Sequence, residues 1–308
     1  MTLPSTSSPI SAWEINAELG RSTVASLNFN DVEVKTLAVA GNNLLSSTSE
    51  TTTDFNSLRG TARAKIVPST NTNNINLKTS VDAVGYASGK TYATLLVANN
   101  IVVGSTNTAS PAVTIGTFTG NDVVEVVLEA NGYITGCGGA GGKGIGGFNV
   151  NSGSFDPGTD GGAGGTALYT RFNTFVNNLG NVWGGGGGAG GGGGSNTGGK
   201  SREGEGGGGG GGGAGQLGGA AGDGGTNSAG TQGTAGSVGS LAAGGAGGPP
   251  GGDAGFGGTG GGPGLPGEQG LTSADGEAGT LGGDAGNYVD GSSFVTWVSV
   301  GSRLGGSI

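Results

Sequence analysis

Between Gly136 and Gly286 lie 66 of the 79 glycines of this chain. Runs such as Gly184–Gly188, Gly190–Gly194 and Gly206–Gly213 offer no side chain to bury, so a conventional apolar core cannot form there. Such a stretch is either a flexible linker or a structure made by its own backbone. Its spacing selects the second. From Gly252 to Gly282 every third residue is glycine except Ser273. In the preceding frame, Gly224 to Gly251, eight of ten positions are glycine, the breaks being Asn227 and Ala242, and the frame slips by one between Gly251 and Gly252. Three residues per turn is the repeat of the extended left-handed helix. A bare face on every turn lets neighbours approach backbone to backbone, so that N–H and C=O groups pair laterally. Collagen does this between three chains; a bundle can do it within one. Glycine loses more backbone freedom on ordering than any other residue, so the ends of the bundle must be held in register.

Composition removes several functions. Twelve Lys and Arg stand against 21 Asp and Glu, a net charge of −9, and the basic residues are scattered, which leaves no footprint for nucleic acid. Histidine is absent, which removes His-based catalysis and His metal sites. The single Cys137 removes intrachain disulfides and cysteine clusters, and reads as a small buried residue at a strand end. The N-terminus has neither the charged nor the apolar region of a signal peptide. No apolar run nears the roughly 18 residues of a membrane span. No cofactor or metal is expected.

Residues 1–60 read as a small helical adaptor. Ser11 and Glu14 have capping-box spacing, and the helix they start should end at Gly20. Asn30 or Asp31 caps a second helix, with Val34, Leu37 and Ala38 on its apolar face, and Thr53-Asp54-Phe55 is a third such signal. Residues 61–74 read as a linker. From Asn74 to Ile134 the period becomes that of strands: Ile75, Leu77 and Thr79 alternate, as do Thr91, Ala93, Leu95 and Val97, and Val123 to Leu128 is a β-branched run. Residues 61–135, that linker included, are expected to form a β-strand base module.

Two junctions repeat. Val126 to Ile134 runs into Gly136, and Phe172 to Trp183 runs into Gly184, each as strand, Asn/Gly turn, short apolar segment and glycine tract. A further strand, Phe294–Val300, sits in the C-terminal segment 291–308. The simplest arrangement stacks these strands, with glycine segments leaving the base, turning and returning through residues 136–290. The tract Gly136–Gly147 would reach roughly 37 Å if fully extended.

That geometry assigns a role to the interruptions. Phe148–Asp160 and Ser195–Glu205 lie between outgoing and returning tracts, and Pro249-Pro250, Phe256 and Leu265–Gln269 are later candidates. Loops gathered at one end of a rigid scaffold are the usual layout of a binding face. The candidate contacts are Phe148, Asn149, Asn151, Phe155 and Asp156 in the first loop, and Asn196, Lys200, Arg202 and Glu203 in the second. Tyr133, Phe175, Trp183 and Trp297 are expected to pack at the base.

Enzymatic readings are weak. Gly198-Gly199-Lys200-Ser201 matches the end of a phosphate loop, but no strand precedes it and no good helix follows. Asp223, Asp253, Asp275 and Asp284 lack the nine-residue spacing of calcium β-rolls. Asp156, Asp160 and Glu203 define no carboxylate pair at a useful separation.

Several segments resemble a known family. Pro9–Gly20, with Asn28–Asp31 and Thr53–Phe55, resembles a short N-terminal module of phage tail proteins. Asn131–Gly136 with the glycines after it, Gly164–Leu168, and the ending Val295–Gly305 resemble the glycine-rich tail-tip adhesins of tailed phages. The resemblance implies polyglycine II helices packed as a sandwich, with distal loops that recognise a bacterial surface receptor, an outer-membrane protein or a glycan. It implies a non-enzymatic virion protein, made in the host cytoplasm and attached to other tail proteins through its N-terminal module, without membrane insertion.

The expected fold class is therefore mostly β plus polyglycine II: a small N-terminal helical module, a β-strand base, and a bundle of left-handed polyglycine II helices with distal loops. Two alternatives stay open. One is a collagen-like structural homotrimer. The other is an ice-binding protein, which the irregular spacing of Thr across Gly136–Gly286 disfavours.

Overall fold

The computed structural model describes residues 12–19, 21–22, 25–26, 62–84, 91–196, 204–226 and 230–308. The helix signalled by Ser11 and Glu14 spans Ala12–Glu18 (α1), with Ile15, Asn16 and Glu18 buried. Glu18 reaches the base, its Oε1 accepting the Arg63 amide proton at 2.7 Å. The two further helices expected before residue 60 lie outside the described residues.

Beyond residue 61 the described chain is mostly sheet, wound as a three-sided coil. The first turn holds β1 (Ala62–Ile66), β2 (Thr72–Asn73) and β3 (Ile75–Asn76), and the second β4 (Thr91–Val97), β5 (Val102–Gly104) and β6 (Val113–Thr114). The third holds β7 (Val123–Leu128) and β8 (Tyr133–Thr135), then an excursion carrying the hairpin β9 (Phe148–Asn149) and β10 (Ser154–Phe155), then β11 (Leu168–Tyr169). The fourth holds β12 (Thr174–Asn178), β13 (Asn181–Trp183), a long excursion and β14 (Asn287–Asp290). The last holds β15 (Val295–Ser299), β16 (Ser302–Leu304) and β17 (Gly306–Ser307).

Corresponding strands stack into three parallel five-stranded sheets: β1-β4-β7-β12-β15, β2-β5-β8-β13-β16 and β3-β6-β11-β14-β17. Each sheet turns alternate residues inward. Leu95, Val126 and Val176 come from the first sheet, Val103, Ile134 and Val182 from the second, and Val113, Leu168 and Val289 from the third, all within one buried cluster. The two repeated junctions are adjacent turns of this coil, with Tyr133 opposite Asn181 and Thr135 opposite Trp183. In the last turn the Arg303 guanidinium lies 4.7 Å from the Trp297 ring and 5.4 Å from that of Tyr288. Tyr133 and Trp183 meet edge-on at 5.2 Å, and the Trp183 indole donates to Ser302 Oγ at 2.8 Å.

Two local expectations are corrected. The segment 61–74 is not a linker, since β1 and β2 fall within it. The alternation Ile75-Leu77-Thr79 ends after β3 and becomes a helix, Leu77–Ala83 (α2). The Asn76 side chain accepts the Thr79 amide proton as an N-cap, and Leu77 and Val81, four residues apart, bury the same helical face. A short stretch with apolar residues at both spacings is decided by its cap.

One corner of the coil positions everything else. In the first turn β2 and β3 are joined by Asn74 alone, at φ +51°, a left-handed conformation that Asn tolerates. In the second turn residues 105–112 form the same corner. In the third and fourth turns it opens into the glycine excursions, residues 136–167 and 184–286.

These excursions form ten extended segments among the described residues, in layers of three, four and three. The outer layers are 158–165, 136–147, 217–226 and 264–273, 254–262, 243–251. The middle layer is 277–286, 184–195, 204–215, 231–240. Lateral bonding repeats every three residues. In the central segment, Gly206, Gly209, Gly212 and Gly215 donate to Thr231, Thr234, Ser237 and Ser240. Gly207, Gly210 and Gly213 donate to Ile145, Gly142 and Gly139, while Gly208, Gly211 and Ala214 donate to Gly255, Gly258 and Gly261. Its carbonyls accept from 186–192, 219–225 and 245–251, so the segment bonds to six neighbours.

The number of glycines per triplet follows from that position. Segments 184–195 and 206–215 are surrounded and hold almost nothing but glycine. Segment 136–147 has one outward row, where Ala140 and Lys143 place side chains. Its other two rows are glycine from Gly136 to Gly144, because a Cβ at Gly139 would lie 2.0 Å from the Gly162 carbonyl oxygen and one at Gly141 would lie 2.1 Å from that of Gly210, and Ile145 interrupts one of them only at the far end.

Candidate functional site

The lateral register defines two ends of the bundle. At the base end Gly136 donates to Trp183, Gly184 to Leu304, and Gly264 to Gly184. At the far end Phe148 donates to Ser195, Ser195 to Glu205, Gly206 to Thr231, and Gly251 to Gly206. Among the described residues the turns at that far end are 148–157, 251–254 and 273–277.

The breaks in the glycine frame fall at turns. The slip between Gly251 and Gly252 coincides with a far-end turn in which Gly252 has φ +46°. Ser273 opens the turn that reverses at Gly276, φ +90°. The Ser273 hydroxyl accepts the Glu277 amide proton at 3.1 Å, a bond glycine cannot supply. Ala242 sits in the base-end turn between Ser240 and Ala243. Asn227 lies outside the described residues.

Most of the expected contact residues converge at the far end. Phe148 and Phe155 face each other across the β9–β10 hairpin with ring centroids 5.4 Å apart at 71°. Asn149 Oδ1 accepts from the amides of Asn151 and Ser152 and so fixes the tip, which closes through Gly153 at φ +68°. Asp156 returns the hairpin to the bundle, its carbonyl accepting from Gly146 at 2.9 Å. The Asn196 amide donates to Asp275 Oδ2 at 2.6 Å. A hollow of about 380 Å³ lies between these loops, lined by Phe155, Asn196, Asp275, Gly276 and Glu277. Lys200, Arg202 and Glu203 lie outside the described residues.

Two of the later candidates differ in place. Phe256 begins the segment leaving the far-end turn 251–254 and is 52% exposed. Leu265–Gln269 does not belong to that end. Leu265 follows a base-end turn, where a Cβ on Gly264 would meet the Leu304 backbone. Pro263-Gly264, with Gly264 at φ +62°, reverses the chain without breaking the glycine frame, so the pattern carried no mark of this turn.

Asp253 and Asp275, singled out in the sequence only for lacking calcium-site spacing, also reach the far end. The Asp253 amide donates to Glu205 Oε2, tying the 251–254 turn to the start of the central segment. Asp275 and Glu277 line the hollow with Phe155. The signal that marks both turns is the break in the glycine frame at Gly251/Gly252 and at Ser273. Among the described residues no group of three or more His, Cys, Asp or Glu is arranged to hold a metal ion, and no helix is long and apolar enough to cross a membrane.

No curated protein matches the chain. A crystal structure of the gp37-gp38 adhesin tip complex of the bacteriophage S16 long tail fiber contains a chain with the same fold, at TM-score 0.59 and 23% identity, over 98% of this chain and 99% of that one. The family profile described as phage tail fibre adhesin Gp38 matches residues 62–308, the whole β coil and every glycine segment. The chain belongs to the phage tail fibre adhesin Gp38 family.

Proposed function

We propose that this tail fibre adhesin binds a receptor on the host surface through the far-end loops, which the glycine bundle holds as a rigid mount. The convergence of Phe155 and Asn196, 41 positions apart in sequence, with Asp275 and Glu277 around one hollow carries this reading. A lattice of backbone hydrogen bonds beneath the loops restrains them before binding, so little loop entropy is lost on contact. Phe148 and Phe155 supply an aromatic pair at the tip, the kind of anchor that dominates interfaces.

In this reading the glycine segments are polyglycine II helices. The three-residue bonding repeat and the six bonded neighbours of segment 206–215 support it, since three residues per turn sends successive amides in three directions. The same pattern disfavours a collagen-like homotrimer, because the lateral partners are supplied by one chain. The solved adhesin tip is a complex of gp37 with gp38. By analogy, the N-terminal module seats this chain on another tail-fibre protein at the virion tip, with α1 tied to β1 through Glu18 and Arg63. Nothing in the proposal requires an enzymatic step.

Exchanging Phe148–Asp160 and Ser195–Glu205 for Gly/Ser loops in the phage tests the proposal. Adsorption to the host should be abolished while particles assemble normally. Undiminished adsorption would remove these loops as receptor contacts.

A further inference from the structure

A second hollow, of about 280 Å³, lies away from the far-end loops, on the outer surface of the β coil beside the corner where the glycine segments leave. Thr108, Pro111, Thr114, Thr166, Tyr169 and Asp290 line it. Its floor is set by strand register: Tyr169 pairs with Thr114 on one side and with Asp290 on the other. The preceding residue on each strand, Val113, Leu168 or Val289, is fully buried inside the coil, so alternation turns this row outward. The corner loop carrying Thr108 and Pro111 forms one wall. It is braced by Asn74, whose Nδ2 donates to the Pro111 carbonyl at 3.0 Å.

Arg171, which does not itself line the hollow, holds two residues that do. Its Nη2 lies 2.7 Å from Asp290 Oδ1 and its guanidinium carbon 4.4 Å from the centre of the Tyr169 ring, while Nη1 donates to the Thr170 carbonyl at 2.8 Å. One side chain thus fixes both the ring and the carboxylate. It also leaves the hollow without net charge. The hydroxyls of Thr108, Thr114, Thr166 and Tyr169 have no hydrogen-bond partner among the described residues.

The chemistry of these groups selects the ligand. A phosphate would meet Asp290, and the neighbouring cation is already paired. An amine would meet a carboxylate that Arg171 has neutralised. A purely apolar molecule would leave the hydroxyls without partners, which costs binding energy. A neutral sugar ring offers hydroxyls to match them and C–H edges to lie against Tyr169, which has both an apolar body and a polar tip. We propose that this hollow is a binding subsite for a neutral hexose unit of a glycan, separate from the far-end loops.

The test is an NMR titration of the full-length protein with the methyl glycosides of glucose, galactose and mannose. At least one should bind saturably, with a dissociation constant on the order of 1 mM. Its shift changes should centre on Thr114, Thr166, Tyr169 and Asp290. The double substitution Thr114→Val with Thr166→Val should weaken that sugar by about tenfold or more, and a protein carrying Gly/Ser far-end loops should bind it as tightly as the wild type. The proposal is overturned if none of the three sugars saturates the wild type, if the shifts map elsewhere, or if the loop exchange removes binding. Undiminished affinity in a folded double variant would also overturn it. Should that variant fail to fold, the wild-type shift map and the loop-exchanged protein still decide the question.

Discussion

A Cβ built on Gly213 would lie 2.0 Å from the carbonyl oxygen of Gly186. The two residues belong to the two surrounded segments of the bundle. Neither backbone can retreat, because each is bonded to other segments behind it. Gly213→Ala should therefore cost about 3 kcal/mol or more. Gly120→Ala, where a Cβ meets nothing within 4 Å, should stay within about 0.5 kcal/mol of wild type. Urea denaturation of the two variants measures the contrast, and equal midpoints would contradict backbone-to-backbone packing. Gly258→Val should behave like Gly213→Ala, since its Cβ would lie 2.5 Å from the Glu268 carbonyl oxygen.

Ser273 is the one non-glycine in the frame from Gly252 to Gly282, and it is 5% exposed. Its hydroxyl holds the Glu277 amide across the far-end turn. Ser273→Ala should cost about 1 kcal/mol through the lost bond, and Ser273→Gly, which restores the frame, should lose the same bond. Full stability in either variant would show that the hydroxyl does not organise the turn.

Cys137 stands where the first glycine tract enters the bundle, 8% exposed, with its thiol directed at the Leu217 carbonyl 3.4 Å away. Burial pushes its pKa above the ordinary thiol value. The folded thiol therefore ionises at a higher pH than the unfolded one. Stability from this group is intact below the unfolded value and falls as pH rises past it. The lone thiol should react with a disulfide reagent far more slowly in the folded protein than in urea, with a rate that tracks opening of the bundle. Rapid labelling without denaturant would contradict a closed bundle at Cys137.

The glycine spacing exposed much of this architecture, because a backbone-packed segment records its neighbours in its composition. Two glycines per triplet in Gly138–Gly144 correspond to two covered faces, and the unbroken run Gly206–Gly213 to a segment covered all round. The hairpin from Phe148 to Asp156 was legible for the same reason, as the first long interruption. The turn at Pro263-Gly264 was not, since it keeps the frame, and so Leu265 read as a far-end residue. Alternation carried most strands of the coil, but Leu77 fits both periods, and the cap at Asn76 decides for helix. The outer row Thr114-Tyr169-Asp290 was hidden because strand register, not sequence proximity, assembles it.

The central claim is that the far-end loops, mounted on the bundle, bind the host. The most direct measurement is competition: purified protein is mixed with host cells before the phage is added, and free phage are counted. Wild-type protein should block adsorption in a saturable way. A variant with Gly/Ser loops in place of Phe148–Asp160 and Ser195–Glu205, matched in melting temperature, should not. Equal blocking by both proteins would contradict the account.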